Sequence, residues 1–157
     1  MDEITINNIL LKLLKTSRVS FLGVFPSDHI PCVSDINHKT PCCYVANTDP
    51  CTEAGTHWVA FFHPRPNDLE FFDSFGKTPT YYHFPIASTM SLKHNTIQLQ
   101  SNKSTLCGQW CILFLHRRSF GTSLESLVRR ISSLTPTKAD NLVSTYFTQI
   151  QSTLKKQ

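Results

Sequence analysis

Residues 104–116 read STLCGQWCILFLH, and the place of Cys107 in that stretch decides how the rest of the chain is read. Up to Leu106 the chain is polar and loop-like. From Cys107 onward, Cys111, Ile112, Leu113, Phe114 and Leu115 are apolar on nearly every side of a 3.6-residue turn, which predicts a buried central helix. Arg117 and Arg118 suit the negative end of its dipole, and Gly121 lies just past that end. A cysteine opening such a helix has two readings. Its small thiol packs in the core, or it is a nucleophile whose pKa is lowered by the free N–H groups and positive dipole of the first turn. In the second reading Gly108, without a Cβ, lets a substrate carbonyl come close, and the Cys107 N–H faces the oxyanion formed on attack.

Working outward, CCYVAN at 42–47, HWVAFFH at 57–63 and LEFFD at 69–73 are short runs of β-branched and aromatic residues bounded by Pro, Gly, Asn and Asp, and are expected to be strands. PRPN at 64–67 predicts a tight hairpin between the last two, and the alternation in NTIQLQ at 95–100 predicts a fourth strand. Near the start, Ile6, Ile9, Leu10, Leu13 and Leu14 form one stripe of an amphipathic helix, expected to act as a lid or clamp on the core. FLGVFPSDHIP at 21–31, with Gly23, Pro26 and Pro31, reads as irregular chain. Leu124, Leu127, Val128, Ile131 and Leu134 predict a further helix. Pro136 ends it, and Leu142, Tyr146, Ile150 and Leu154 carry a last one. The class is α+β, in a single domain over residues 1–157.

A thiolate nucleophile needs a proton partner. Of the seven histidines, His57 is best placed, at the start of a strand with Gly55 just before it. Asp73 closes LEFFD, and in a hairpin the start of one strand lies beside the end of the other, so Asp73 can orient His57. Gln100, seven residues before Cys107, offers an amide as a second oxyanion donor. Taken singly, each residue has a plainer explanation as a core thiol, a surface histidine or a turn-forming acid. Their joint order favours chemistry. Neither Cys107, Cys111 and His116 nor Cys42, Cys43 and Cys51 shows paired C-x-x-C spacing, so no metal site is expected.

Composition limits the setting. Apolar residues make up 40% and charged residues 17%, with eleven Phe, as in a folded globular protein. The formal charge of +4, spread over scattered basic pairs, permits weak DNA binding without demanding it. No apolar run is long enough to cross a bilayer, and MDEITINNIL lacks the order of a signal peptide, so an intracellular, unsecreted protein without a membrane partner is expected. Its six cysteines are then expected to be free thiols.

Three segments carry a resemblance to a known family: GTHWVAFF at 55–62, LEFFDSFG at 69–76 and QSNKSTLCGQWCILFLH at 100–116 resemble the adenovirus-type cysteine endopeptidases, the adenain family. FLGVFPSDHIP looks like that family's FLG segment, and the likeness runs from about residue 21 to Arg118, more loosely beyond. Relatives occur in viral-like DNA transposons, and the Ulp/SENP proteases that act on SUMO-like modifiers share the catalytic order more distantly. The resemblance implies a papain-like or adenain-like fold, with a mixed sheet and a buried helix starting at the nucleophile. It implies Cys107 as nucleophile, His57 as its imidazole, Asp73 as the acid and Gln100 in the oxyanion hole. Trp58 would flank the substrate channel, with Gly55 and Gly108 beside it. The implied activity is cleavage of viral or viral-like capsid or core precursors at Gly-containing sites during virion maturation, in a host nucleus or a virion. Alternatives are a protease acting on the Gly-Gly tails of SUMO or ubiquitin, or an inactive relative that binds peptide or DNA. A monomer is expected, with no required cofactor. Adenovirus enzymes carry Glu where this chain has Asp73, and are activated by DNA and by a peptide disulfide-bonded to a cysteine ahead of the glutamine. Between Asp73 and Gln100 there is no cysteine here, so covalent activation is not expected.

Overall fold

The computed structural model describes residues 1–156. Its centre is a five-stranded sheet in chain order, formed by β1 (Ser20–Phe25), β2 (Cys42–Asn47), β3 (Trp58–His63), β4 (Asp68–Phe72) and β5 (Ser91–His94). The outer pairs, β1 with β2 and β4 with β5, are parallel, and the inner pairs are antiparallel. Helices α1 (Glu3–Leu13), α2 (Val33–Lys39), α3 (Cys107–Ser119), α4 (Leu124–Ser132) and α5 (Pro136–Leu154) complete the α+β architecture.

The inner strands read as continuous apolar runs because both faces of the sheet are covered. Alternate residues go to opposite sides. Cys43, Val45, Ala60, Phe62 and Phe72 meet α1, α3, α4 and α5, while Cys42, Tyr44, Ala46, Val59, Phe61 and Phe71 meet Ile36 of α2 and Phe84. α3 is buried nearly all round, as its composition requires, and Phe114 stacks on Phe72 with ring centroids 4.8 Å apart. At its far end Arg118 grips Glu70 of β4 through two bonds of 2.7 and 3.0 Å and lies over the Phe62 ring. The helix that begins at Cys107 is therefore fixed against the sheet along its whole length.

The strands at 42–47, 57–63 and 69–73 form within one residue of expectation, and the hairpin turns at residues 64–67, where Asn67 takes a positive φ of 61° and Asp68 donates its N–H to the Arg65 carbonyl. Four expectations are corrected or narrowed. FLGVF is an edge strand, not irregular chain: its register shifts between Phe21 and Val24, and Gly23, at φ 126°, absorbs the bulge. α2 breaks the segment that follows. The fourth strand is Ser91–His94, and residues 95–100 form a loop whose alternation reflects buried Asn95, Leu99 and Gln100 anchored to residues 73 and 74. Of the two roles expected for α1 the packing is that of a clamp and not of a lid, since Ile6 and Leu10 are fully buried in the main core. In α5 the buried positions are Ala139, Asp140, Val143 and Ile150, while Leu142 faces outward.

Candidate active site

The turn between β3 and β4 sets the hairpin register, Ala60 opposite Phe72, so that His57 just before β3 and Asp73 just after β4 arrive at the same end of the sheet. His57 Nε2 donates to Asp73 Oδ1 at 2.6 Å. Both are buried, and Phe75 and Tyr82 pack against the imidazole with centroids 5.0 and 5.6 Å away. With Nε2 committed to the carboxylate, Nδ1 is the ring atom free for the thiol. α3 starts at that point: Cys107 is its first residue, and its thiol meets the His57 ring and the backbone N–H groups of Trp58 and Gly108.

Asp73 is held on all sides. Oδ1 also accepts the Phe75 N–H at 3.1 Å, and Oδ2 accepts the Lys77 N–H and the Tyr82 hydroxyl, each at 2.9 Å. Asn95 brackets its backbone, donating from Nδ2 to the Asp73 carbonyl at 2.6 Å and accepting the Asp73 N–H at 3.0 Å. Gly76 closes the turn with φ 73°, and a Cβ there would come within 2.8 Å of the Ile97 carbonyl carbon.

These contacts tune the three groups together. Burial opposes ionisation of Asp73, but the His57 ring and the N–H groups of Lys77 and Phe75 outweigh it and hold the carboxyl below its usual range. Burial likewise disfavours an imidazolium at His57. The Asp73 and Cys107 partners prevail and push its pKa up to about 9. At Cys107 burial raises the thiol, yet the imidazole and the two N–H groups bring it below its ordinary value. The arrangement favours a thiolate–imidazolium pair over the neutral thiol and imidazole. Cys111, one turn further along α3, is pushed the other way by burial and by the negative charges of Cys107 and Asp73. Among the described residues every cysteine is a free thiol, with Cys42 and Cys43 buried and Cys32 and Cys51 exposed.

Gln100, in the loop that leads to α3, is buried. Its Oε1 accepts the Ser74 hydroxyl at 2.6 Å and Nε2 donates to the Ser104 carbonyl at 2.8 Å, which leaves one Nε2 hydrogen. Ser74 in turn accepts the Leu99 and Gln100 N–H groups at its carbonyl, tying the glutamine to the residue after Asp73. Trp58 is half-buried and donates its indole N–H to the Met1 carbonyl at 3.0 Å. At Gly108 a Cβ would press on Ile6 and Met1, at 3.2 and 3.3 Å, so the glycine also lets α1 pack closely against α3. Gly55 lies in an exposed turn over Asn47, whose amide nitrogen would be 2.0 Å from an added Cβ. Tyr82, Asn95 and Ser74 were missed in the sequence reading. Their partners lie 9, 22 and 26 residues away, and only the buried asparagine in the alternating NTIQLQ stretch offered a signal.

Residues 21–156 match the adenovirus endoprotease family. Relatives include the protease of frog adenovirus 1, 29% identical over 91% of this chain and 78% of that protein, and the protease of snake adenovirus serotype 1, 29% identical over 78% and 71%. Among solved structures, a protease of ASFV superposes with a TM-score of 0.59 at 19% identity, covering 88% of this chain and 64% of the other. The central domain of an uncharacterized Legionella pneumophila protein superposes with a TM-score of 0.60 at 15% identity, covering 100% and 98%. The chain thus spans just under two thirds of that ASFV protease, and at such identities the superpositions speak for the fold alone. The family match covers nearly the whole chain, and the protein belongs to the adenovirus endoprotease family and is a cysteine endopeptidase of that type.

Proposed function

We propose that this chain cleaves precursor proteins of a virus or viral-like element at Gly-containing sites, with Cys107 as nucleophile, His57 as acid and base, Asp73 as the carboxylate that positions His57, and Gln100 as an oxyanion donor. The observation that carries this reading is the placement of the His57 ring between a buried carboxylate 2.6 Å from Nε2 and the thiol that opens α3. The Cys107 thiolate attacks the peptide carbonyl carbon, and the oxyanion is met by the Cys107 N–H and the remaining Nε2 hydrogen of Gln100. His57 passes its proton to the leaving amine. Water then attacks the thioester with His57 as base, and the acid product leaves as the thiolate re-forms. Glycine suits a passage narrowed by Trp58, whose indole is fixed by its bond to Met1. No cysteine lies between Asp73 and Gln100, so the scheme runs without a disulfide-bound peptide activator.

Hydrolysis of a quenched-fluorescence peptide containing Gly-Gly tests the reading. Cys107→Ala should abolish cleavage and Cys111→Ala should keep most of it, with folding of both checked by thermal melting. Iodoacetamide should label Cys107 ahead of exposed Cys32 and Cys51, and remain fast at mildly acidic pH. Equal loss of cleavage in the two folded variants would overturn the assignment.

A further inference from the structure

Apart from the catalytic groups, three side chains of different kinds meet at the surface beyond the ends of β1 and β2. Asp28 and His29 belong to a single 3-10 turn, Ser27–His29, that follows β1, and Cys51 lies in the loop between β2 and β3. The Cys51 thiol donates to Asp28 Oδ2 at 3.2 Å across 23 residues of sequence, and His29 Nδ1 lies 3.1 Å from Asp28 Oδ1. The thiol sulfur, the imidazole nitrogen and the carboxylate oxygen stand within 4.8 Å of one another, and all three residues are exposed. Among the described residues this is the one group of three or more His, Cys, Asp or Glu side chains that converge so closely.

The backbone holds this meeting in place. Ser27 donates its N–H to the Asp49 carbonyl at 3.0 Å, Cys51 donates its N–H to Asp28 Oδ1 at 2.9 Å, and the turn that carries Cys51 is closed by the Glu53 N–H on the Pro50 carbonyl at 3.0 Å. The donor set is mixed: one thiol, one imidazole and one carboxylate, the ligand types of a tetrahedral zinc centre. Bonds of about 2.0–2.3 Å to such an ion put neighbouring ligand atoms about 3.3–3.5 Å apart. The two separations at Asp28 are already close to that. The thiol hydrogen directed at the carboxylate lies where a cation would bridge the same atoms. Paired C-x-x-C spacing cannot announce such a set, because the partners of Cys51 come from another part of the chain.

We propose that Asp28, His29 and Cys51 bind one divalent cation of the zinc class, each giving one ligand atom and water completing the tetrahedron. Binding releases the Cys51 thiol proton to solvent and leaves a thiolate–metal bond. His29 binds through Nδ1 with its ring proton on Nε2. The ion cross-links the segment after β1 to the β2–β3 loop, whose last residue is His57 and whose first, Thr48, donates its N–H to the His57 carbonyl at 2.9 Å. It is a clip on the loop that delivers the imidazole, takes no part in the reaction, and stands independently of the protease reading.

The test uses the Cys107→Ala chain, so that the active-site thiol takes no metal, and titrates it with Co²⁺ and then Zn²⁺. One equivalent of Co²⁺ should bind with a thiolate-to-metal absorption band in the near ultraviolet, and Zn²⁺ should displace it. In that background Cys51→Ser keeps a hydroxyl that can donate to Asp28, so the metal-free contact survives, yet the band should vanish and Zn²⁺ affinity should fall by at least about tenfold. His29→Ala should keep the band and lose affinity by a similar factor. Cys32→Ser removes the other exposed thiol and should leave both readouts unchanged. Saturating Zn²⁺ should raise the melting temperature above its value in EDTA, and Cys51→Ser should erase that shift. No band, a band that persists in Cys51→Ser or disappears in Cys32→Ser, or an affinity unmoved by His29→Ala overturns the proposal.

Discussion

A thiol and an imidazole that share a proton set the pH range of the reaction in opposite directions. Cys107 ionises below its ordinary value, so kcat/KM should already be rising well on the acid side of it, while His57 keeps the proton needed by the leaving amine until about pH 9 and activity should fall above that. Asp73→Asn removes the charge that raises His57, so the alkaline limb should move to lower pH as turnover drops. An alkaline limb that stays in place would show that Asp73 does not act through His57. Gln100→Ala should lower kcat by roughly 10²-fold with KM little changed, the usual size for losing one oxyanion donor. Because Ser74 and Ser104 also lose their partner, its melting temperature must be compared with the wild type. A rise in KM alone would make Gln100 a ground-state contact.

At the scale of elements, the site depends on a turn more than on any helix. Residues 73–77 wrap the Asp73 carboxylate with N–H groups and lean on the loop at 95–100, and Gly76 is the point of closest approach. Gly76→Ala should therefore strain φ and drive its Cβ into the Ile97 backbone. Thermal melting should show a loss of more than about 1 kcal/mol, with kcat falling further than KM rises. Full activity in that variant would mean that the turn tolerates displacement. Cys107, His57 and Asp73 could be read from the sequence because each sits at the end of an element whose period is visible within a few residues. Tyr82 and Asn95 could not, since a tyrosine in YYH looks like a turn residue and an asparagine opening NTIQLQ looks like the start of a strand until the chain brings them to Asp73. β1 was hidden for a related reason: Gly23 is a breaker locally and a bulge once β2 lies beside it. At Gly108 the local pattern does not show a second neighbour, α1, which is distant in sequence and whose Ile6 would lie 3.2 Å from an added Cβ.

Across the whole molecule, the C-terminal helix reaches the oxyanion loop through one buried side chain. Asp140 of α5 accepts the Ser101 N–H at Oδ2 and the Trp110 indole N–H at Oδ1, each at 3.0 Å, so it joins the residue after Gln100 to the core face of α3. Nothing in the local pattern of α5 announces this, because an acid on a helix is ordinarily solvated surface; its burial follows from where α3 places Trp110, which is fully enclosed. Asp140→Ala would leave the enclosed indole N–H without an acceptor and release Ser101, and each such group costs about 1–3 kcal/mol. The variant should melt earlier by an amount of that order. Its catalytic effect should be confined to kcat, since the loop carries Gln100, and alkylation of Cys107 should keep its wild-type pH dependence because the His57 and Asp73 contacts are untouched. Asp140→Asn keeps an oxygen for one of the two N–H groups and should recover part of both losses. If the alanine variant lost stability with kcat unchanged, the oxyanion loop would be held by Ser74 and the residue 95–100 loop alone, and α5 would serve only to close the core.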